Sequence, residues 1–300
     1  MQSWDDIRVF LAVARHESLS AAGRVLRIDP ATVGRRITRL EQDMGQPLFG
    51  KSPQGYALTD AGQRLLPHAE RAEQATQGAA EALAGEAGRL SGQIRIGAPD
   101  GCANFLLPRV CATIARDNPD LEIQILSQPR VVNLSKREAD LAISVSPPTA
   151  GRLTVQKIAD YQLHVAAAET YLAQCPPIQS PQDLRAHRVI GYISDMIFDR
   201  ELDYLSDMGL DQVHLASNSV SVQLNWLRQG GGLGIVHDFA LPYAPELRRV
   251  LASEISLSRA FYLVRHGDDR RLDRMNRFAA ALVAGMRAEV ARLEALTQSN

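Results

Sequence analysis

A break between two short helical patterns near the start of the chain limits its folding more than any other feature. Ala21, Ala22, Val25 and Leu26 recur at helical spacing, and Val33, Ile37, Leu40 and Met44 do so again. Between the two lies Ile28-Asp29-Pro30. Proline disrupts a helix interior but suits a first turn, and Asp29 is placed to cap that turn. Ser18 or Ser20 is a cap for the earlier helix, while Gly45 and Pro47 end the later one. A further helical pattern, Ile7, Phe10, Leu11 and Ala14, precedes both. Three short helices with tight turns must bury their stripes against one another, so a small helical head is expected.

Charge gives that head a direction. From Pro30 through Leu40 there are three arginines, Arg35, Arg36 and Arg39, and no acid. They fall on the face opposite Val33, Ile37 and Leu40. Three arginines on a helix usually mark nothing more than a solvated face. Here they follow two helices and a break, and Leu48 to Leu58 then reads as a hairpin turning at Pro53-Gln54-Gly55. A helix that packs by one face and offers arginines from the other suits phosphates and guanine edges in a major groove. Lys51 and Ser52 on the hairpin would touch the backbone or the minor groove beside it. The whole chain has 300 residues, with 33 Lys+Arg, 34 Asp+Glu and a net charge of -1. That sum excludes a uniformly basic nucleic-acid binder but leaves room for one basic element on a neutral body.

The composition changes after residue 58. Thr59 to Leu90 is rich in alanine, has Thr59 or Asp60 as a cap, and reads as one long helix with Pro67 marking a kink or a start. Gly85, Gly88 and Gly92 loosen the chain as a linker does. From Gln93 onward strand and helix alternate. Strand patterns fall at Ile94–Ile96, Leu121–Leu126, Leu141–Val145, Leu163–Ala168, Val189–Ile190, Val213–Ala216, Leu233–Val236 and Phe261–Val264. Helical patterns fall at Phe105–Ala115 and Val220–Arg228, and an amphipathic one carries Leu272, Met275, Phe278, Leu282, Met286, Val290 and Leu293. An α/β body follows.

Several chemistries are excluded by spacing. Cys102, Cys111 and Cys175 form no CxxC pair, so neither a zinc site nor a disulfide framework is expected. None of the His residues at 16, 68, 164, 187, 214, 237 and 266 has zincin spacing, and no GxSxG elbow or P-loop occurs. Gly230-Gly231-Gly232-Leu233-Gly234 fails as a dinucleotide loop, because its last required glycine falls on Ile235. No catalytic residue, metal or cofactor is expected. The acidic start, Trp4-Asp5-Asp6, is unlike a signal peptide, and apolar runs such as Phe278–Met286 are too short for a membrane span. A cytoplasmic protein without a membrane partner is the default.

The motifs taken in order resemble one family. Phe10-Leu11-Ala12-Val13-Ala14, Ser18-Leu19-Ser20-Ala21-Ala22, Val33 with Arg35 and Ile37, Leu40-Glu41, Gly45-Gln46-Pro47-Leu48-Phe49 and Leu58-Thr59-Asp60-Ala61-Gly62 are similar to the winged helix-turn-helix of LysR-type transcriptional regulators. Ile94-Arg95-Ile96-Gly97, Asp140-Leu141-Ala142-Ile143 and Gly232-Leu233-Gly234-Ile235 extend the likeness across the chain. The resemblance implies a DNA-binding domain at 1–58 with its helix-turn-helix at 21–40, a dimerisation helix at 59–90, and an effector domain at 93–300. That domain would be Rossmann-like, with two subdomains as in periplasmic-binding proteins: lobe 1 at about 93–160 and 265–294, lobe 2 at about 163–264. Ser20, Pro30, Thr32, Arg35, Arg36, Arg39, Lys51 and Ser52 are the residues expected on DNA. Gly34 departs from the family, which often has a serine there, and Gly50-Lys51 replaces a common arginine pair.

The resemblance also implies that loops after the strands converge on an effector cleft. Pro99, Asp100, Gly101, Cys102, Ser146, Ser194, Ser217, Asn218 and His237 are its expected residues, with Ser219 a cap only. Asp100 either faces the effector, and so favours a hydroxyl or amine over an anion, or merely caps a helix. The implied partners are double-stranded promoter DNA, a small-molecule effector, further copies of the chain as homodimer or homotetramer, and RNA polymerase. Redox sensing through Cys102 is an alternative, and a solute-binding protein without a regulatory role is a remote one that leaves residues 1–58 unexplained.

Overall fold

The computed structural model describes residues 3–52, 55–84, 89–127, 139–148, 153–210, 212–267 and 272–298. The tip of the hairpin at 53–54 and the linker glycines at 85 and 88 lie outside them. The chain divides into two units, Met1–Gly88 and Arg89–Asn300.

In the first unit α1 (Trp4–His16), α2 (Leu19–Leu26) and α3 (Pro30–Met44) are followed by β1 (Phe49–Ser52), β2 (Gly55–Leu58) and α4 (Asp60–Ala84). The caps follow from the sequence. Ser18 accepts from Ala21 N, Asp29 accepts from Ala31 N and Thr32 N, and Gly45 closes α3 in the left-handed region at φ 69°. The turn between α2 and α3 is tight enough that a Cβ on Gly23 would sit 2.7 Å from the Ile28 carbonyl oxygen. Phe10, Leu11, Val13, Ala22 and Val33 are fully buried, with the Phe10 and Phe49 rings 5.3 Å apart. The apolar faces of all three helices and the hairpin thus share one core.

Pro67 does not start a helix, since α4 runs through it. Proline there removes one backbone bond to the preceding turn and its ring crowds that turn's carbonyl. Ala61, Leu65, Leu66 and Ala69 lay the first turns of α4 on the core, and Arg15 pairs with Glu73 at 2.6 Å. Beyond that point Ala72, Ala75 and Ala79 are exposed.

The second unit begins with β3 (Gly92–Ala98), α5 (Asp100–Phe105), α6 (Leu107–Asp117), β4 (Leu121–Ser127) and β5 (Leu141–Ser144). It continues through β6 (Leu153–Ala168), α7 (Glu169–Leu172), β7 (Val189–Gly191), β8 (Leu215–Ala216), α8 (Val220–Arg228) and β9 (Leu233–His237). It ends with β10 (Leu247–Arg249), β11 (Leu257–His266) and α9 (Asp273–Gln298). Short 3-10 turns occupy 181–186, 194–196, 200–202, 206–208 and 238–243.

One sheet joins the strands in the order β4-β3-β5-β11-β6-β9-β7-β8, with β10 added on β6. Its two ends are parallel: β3 with β4 and β5, and β7 with β8 and β9. The middle is antiparallel, because β6 and β11 pair along most of their length. Each parallel end, with its helices, is a lobe, and the two long strands run from one to the other.

Two sequence expectations change here. Residues 153–162, which carry polar and charged residues in no clean alternation, are strand all the same, because β11 pairs with them. Residues 262–264, expected in lobe 2, pair with β5 in lobe 1, and the register slips between Phe261 and Tyr262 where the chain passes between lobes. Among the described residues no helix is long and apolar enough to cross a membrane.

Candidate nucleic-acid interface and ligand cleft

The expected DNA-contacting face is built on α3. Asp29 and Pro30 fix its first turn, and burial of Val33, Ile37 and Leu40 fixes its rotation. Arg35 is exposed, and its Nη2 donates to Thr32 Oγ1 at 2.9 Å, which joins two of the expected residues. Ser20 and Pro30 are exposed nearby in sequence on α2 and α3. The backbone of Lys51 and Ser52 lies in β1, and their side chains are outside the described set.

The basic face is not left free as expected. Arg39 Nε donates to Asp6 Oδ2 at 2.8 Å and its Nη2 to Oδ1 at 2.5 Å. Arg36 Nη1 lies 3.4 Å from Asp5 Oδ2 and 3.6 Å from Asp6 Oδ1. Asp6 is only 2% exposed, so its carboxylate needs these cations. The Asp6 carboxylate also holds the Arg39 guanidinium above its usual pKa, chiefly through the hydrogen bond. The local charge of the α3 face is therefore partly neutralised by α1, a tertiary pairing that no count along α3 reveals. Gly34 does not reflect close packing within the unit: a Cβ there would meet only Leu19 Cδ1, at an ordinary 3.5 Å.

In the second unit the loops after β3 and β9 and the start of α8 do converge. Pro99, Asp100, Gly101, Cys102, Asn218 and His237 line one small space of about 20 Å³. Ser194 lines a second cavity of about 180 Å³, walled mainly by Ile190, Leu205, Leu210, Val213 and Ile235. Tyr192 and Leu202 wall both spaces. Ser217 turns its oxygen to Ser219 N at 3.1 Å and lines neither. Ser146 instead donates to Asp199 of the opposite lobe.

Asp100 both lines the small space and bonds to a helix start. It starts α5, yet its carboxylate reaches across to α8. Oδ2 accepts from Ser219 Oγ at 3.1 Å, Ser221 N at 3.0 Å and Ser221 Oγ at 3.2 Å. Oδ1 accepts from Asn104 Nδ2 at 3.1 Å and Ser127 Oγ at 3.4 Å. The helix it caps is thus the other lobe's. Ser219 is the N-cap of α8, as expected, through Val222 N at 3.3 Å.

The residues that sequence reasoning missed are aromatic. Tyr161 stacks on Phe261 at 4.2 Å and on His237 at 5.5 Å, and Tyr204 meets His237 edge-on at 6.3 Å. They sit in strands or unassigned coil, where they look like ordinary core. His237 Nδ1 is buried without a hydrogen-bond partner, and the buried Tyr161 and Tyr204 hydroxyls meet at most each other. Burial pulls the His237 pKa down to about 4, against the weaker pull of Asp100, so the ring is neutral at pH 7. Burial likewise pushes the Cys102 thiol far above its usual range and Cys111 up to about 11. A fully buried thiol held in its neutral form is a poor redox sensor.

Comparison with known proteins agrees with both units. The bacterial regulatory helix-turn-helix of the lysR family matches residues 4–63, and the LysR substrate binding domain matches residues 87–287. The HTH-type transcriptional regulator PtxR of Pseudomonas aeruginosa is 28% identical over 235 residues, covering 77% of this chain and 75% of its own. The HTH-type transcriptional activator TtdR of Escherichia coli is 27% identical over 247 residues, covering 78% and 77%. Among solved structures, a full-length OxyR variant from Pseudomonas aeruginosa superposes with a TM-score of 0.69 at 16% identity, covering 96% of this chain and 98% of that one. CrgA from Neisseria meningitidis, a LysR-type regulator, gives 0.58 at 20% identity, covering 95% and 99%. A helix-turn-helix head and a two-lobed, ligand-binding body on one chain define a one-component regulator. The chain belongs to the LysR family of transcriptional regulators, which are not enzymes.

Proposed function

We propose that this regulator binds promoter DNA as an oligomer and changes its grip when a small molecule enters the cleft. Insertion of α3 in the major groove is the reading that its geometry supports best. One face is locked by Val33, Ile37 and Leu40, and the other offers Thr32, Arg35 and, at the edge, Arg36. Ser20 and Pro30 would meet phosphates, and Lys51 and Ser52 would do so from the wing. Arg39 holds α1 to α3 through Asp6 and contributes to DNA mainly by orienting that helix.

The observation that carries the assignment is the exposed Arg35–Thr32 pair on a helix whose opposite face is buried. Removing one good base contact weakens specific binding by about 1–3 kcal/mol. Arg35→Ala is expected to do so, while Arg39→Ala lowers the melting temperature of the head more than it changes base preference. A gel-shift titration against operator and scrambled DNA measures both, and unchanged selectivity for Arg35→Ala removes α3 from this role.

The exposed alanines of α4 and the two-fold symmetry of paired DNA sites support a homodimer, extended to a tetramer through the sensing domains. A DNA-bound role is consistent with a cytoplasmic protein and with RNA polymerase as the downstream partner. The lobes would shift on ligand binding and bias the arrangement of the DNA-reading heads.

A further inference from the structure

We infer that the cleft takes an uncharged ligand about the size of one six-membered ring, and that Asp100 is the residue that excludes anions. The inference rests on the reading of the cleft as the effector site and names the chemistry of that site.

A helix N-terminus is the natural seat for an anionic group, because its free N–H groups and dipole favour negative charge. The cleft has such a seat at α8, and the chain fills it itself. Asp100 takes Ser221 N and both serine hydroxyls at 3.0–3.2 Å. A ligand carboxylate entering there would meet a charge of its own sign and find the donors used.

Among the described residues no Lys or Arg lines either cavity. The nearby Arg259 is bound to Glu201 at 2.8 Å and lies over the Tyr204 ring. His237 is neutral, as its buried environment requires. A cation fares no better, since the Asp100 oxygens beside the small space already accept five hydrogen bonds, and Asp203, which lines the larger cavity, accepts from Ser206 N and Oγ.

What the cleft does leave unmet is neutral hydrogen bonding. His237 Nδ1 is buried without a partner, and the Tyr161 and Tyr204 hydroxyls meet at most each other, in residues 5%, 1% and 5% exposed. A buried polar group left without a partner is costly, so a ligand that pairs it gains from the contact. Tyr161 and His237 line the small space and Tyr204 the larger one, with Tyr192 and Leu202 common to both. The larger cavity is about 180 Å³, and roughly 150 Å³ is enough to hold benzene.

Three probes of one shape separate the charges: benzamide, benzoate and benzylamine. Calorimetric titration of the full-length protein is expected to give saturable binding of benzamide, with benzoate and benzylamine at least tenfold weaker. Tyr204→Phe keeps the ring and removes a hydroxyl that meets at most Tyr161, so the chain still folds while benzamide binding weakens severalfold. Asp100→Ser opens the α8 terminus and moves the preference toward benzoate. Asp100→Asn keeps an acceptor oxygen while losing the charge, and shifts the preference the same way if the serine variant does not fold.

Benzoate binding the wild type as tightly as benzamide, or no benzamide binding at all, overturns the inference. So does an unchanged preference in both Asp100 variants. Footprinting of operator DNA separates this from the broader reading. Benzamide that binds through Tyr204 yet leaves the footprint unchanged supports the ligand class and removes the effector role. Benzoate that binds better and alters the footprint does the reverse.

Discussion

Asp6 is 2% exposed and faces two guanidinium groups from another helix, so it joins α1 to α3 by charge as well as by packing. A buried carboxylate deprived of its partner is strongly destabilising, more so than the loss of a surface pair. His237 makes a second prediction at this scale. Its pKa lies near 4 when folded and near 6.5 when unfolded, so the unfolded chain takes up the proton first as pH falls. Stability from the neutral ring is therefore complete above about pH 6.5 and is lost progressively toward pH 4, by roughly 3 kcal/mol in all. Denaturant unfolding of the sensing unit at pH 7, 6 and 5 is expected to show this decline, and His237→Gln to flatten it. Cys102 is fully buried and Cys175 partly exposed. Iodoacetamide at neutral pH is accordingly expected to label Cys175 first, with peptide mass spectrometry as the readout; earlier labelling of Cys102 would reopen the redox alternative.

At the scale of elements, two glycines of the head behave in opposite ways. Gly23 stands where a Cβ would meet the Ile28 carbonyl at 2.7 Å, so Gly23→Ala forces the turn apart. Overpacking of this kind costs about 1–3 kcal/mol. Gly34 has ordinary space in mid-helix, so Gly34→Ala is expected to raise stability by about 1 kcal/mol. Chemical denaturation of both variants checks the pair, and a destabilised Gly34→Ala would mean that α3 needs the bare backbone. The elements of this head were legible because their signals are local. Asp29, Pro30, Gly45 and the apolar spacing determine α3 within a few residues of themselves. Asp6 and Arg39 stand 33 residues apart, and Asp100 and Ser221 are separated by 121, so those pairings exist only once the chain has folded. Tyr161 and Tyr204 failed to stand out for a related reason. A tyrosine is most often core, in a strand such as that of Tyr161 or a turn such as that of Tyr204, and only the folded surroundings of its hydroxyl mark it as something else.

For the molecule as a whole, the exposed small residues of α4 set the expected assembly. Ala72→Glu with Ala79→Glu places like charges where two such helices would meet. Sedimentation is expected to move from dimer or tetramer toward monomer in the double variant, with the head still folded by circular dichroism. An unchanged mass would place the contact elsewhere. The sensing unit has a different mechanical character. Its lobes are not beads on a flexible string, because β6 and β11 carry one hydrogen-bonded sheet through both. A hinge made of paired strands resists opening and sliding, yet it yields to torsion, most easily where the register slips at Phe261 and Tyr262. If the cleft takes an effector as proposed, it would be read by what amounts to a torsion bar. A ligand would be registered as a few degrees of added or removed twist, and amides along the bar would stay shielded from solvent exchange in both states.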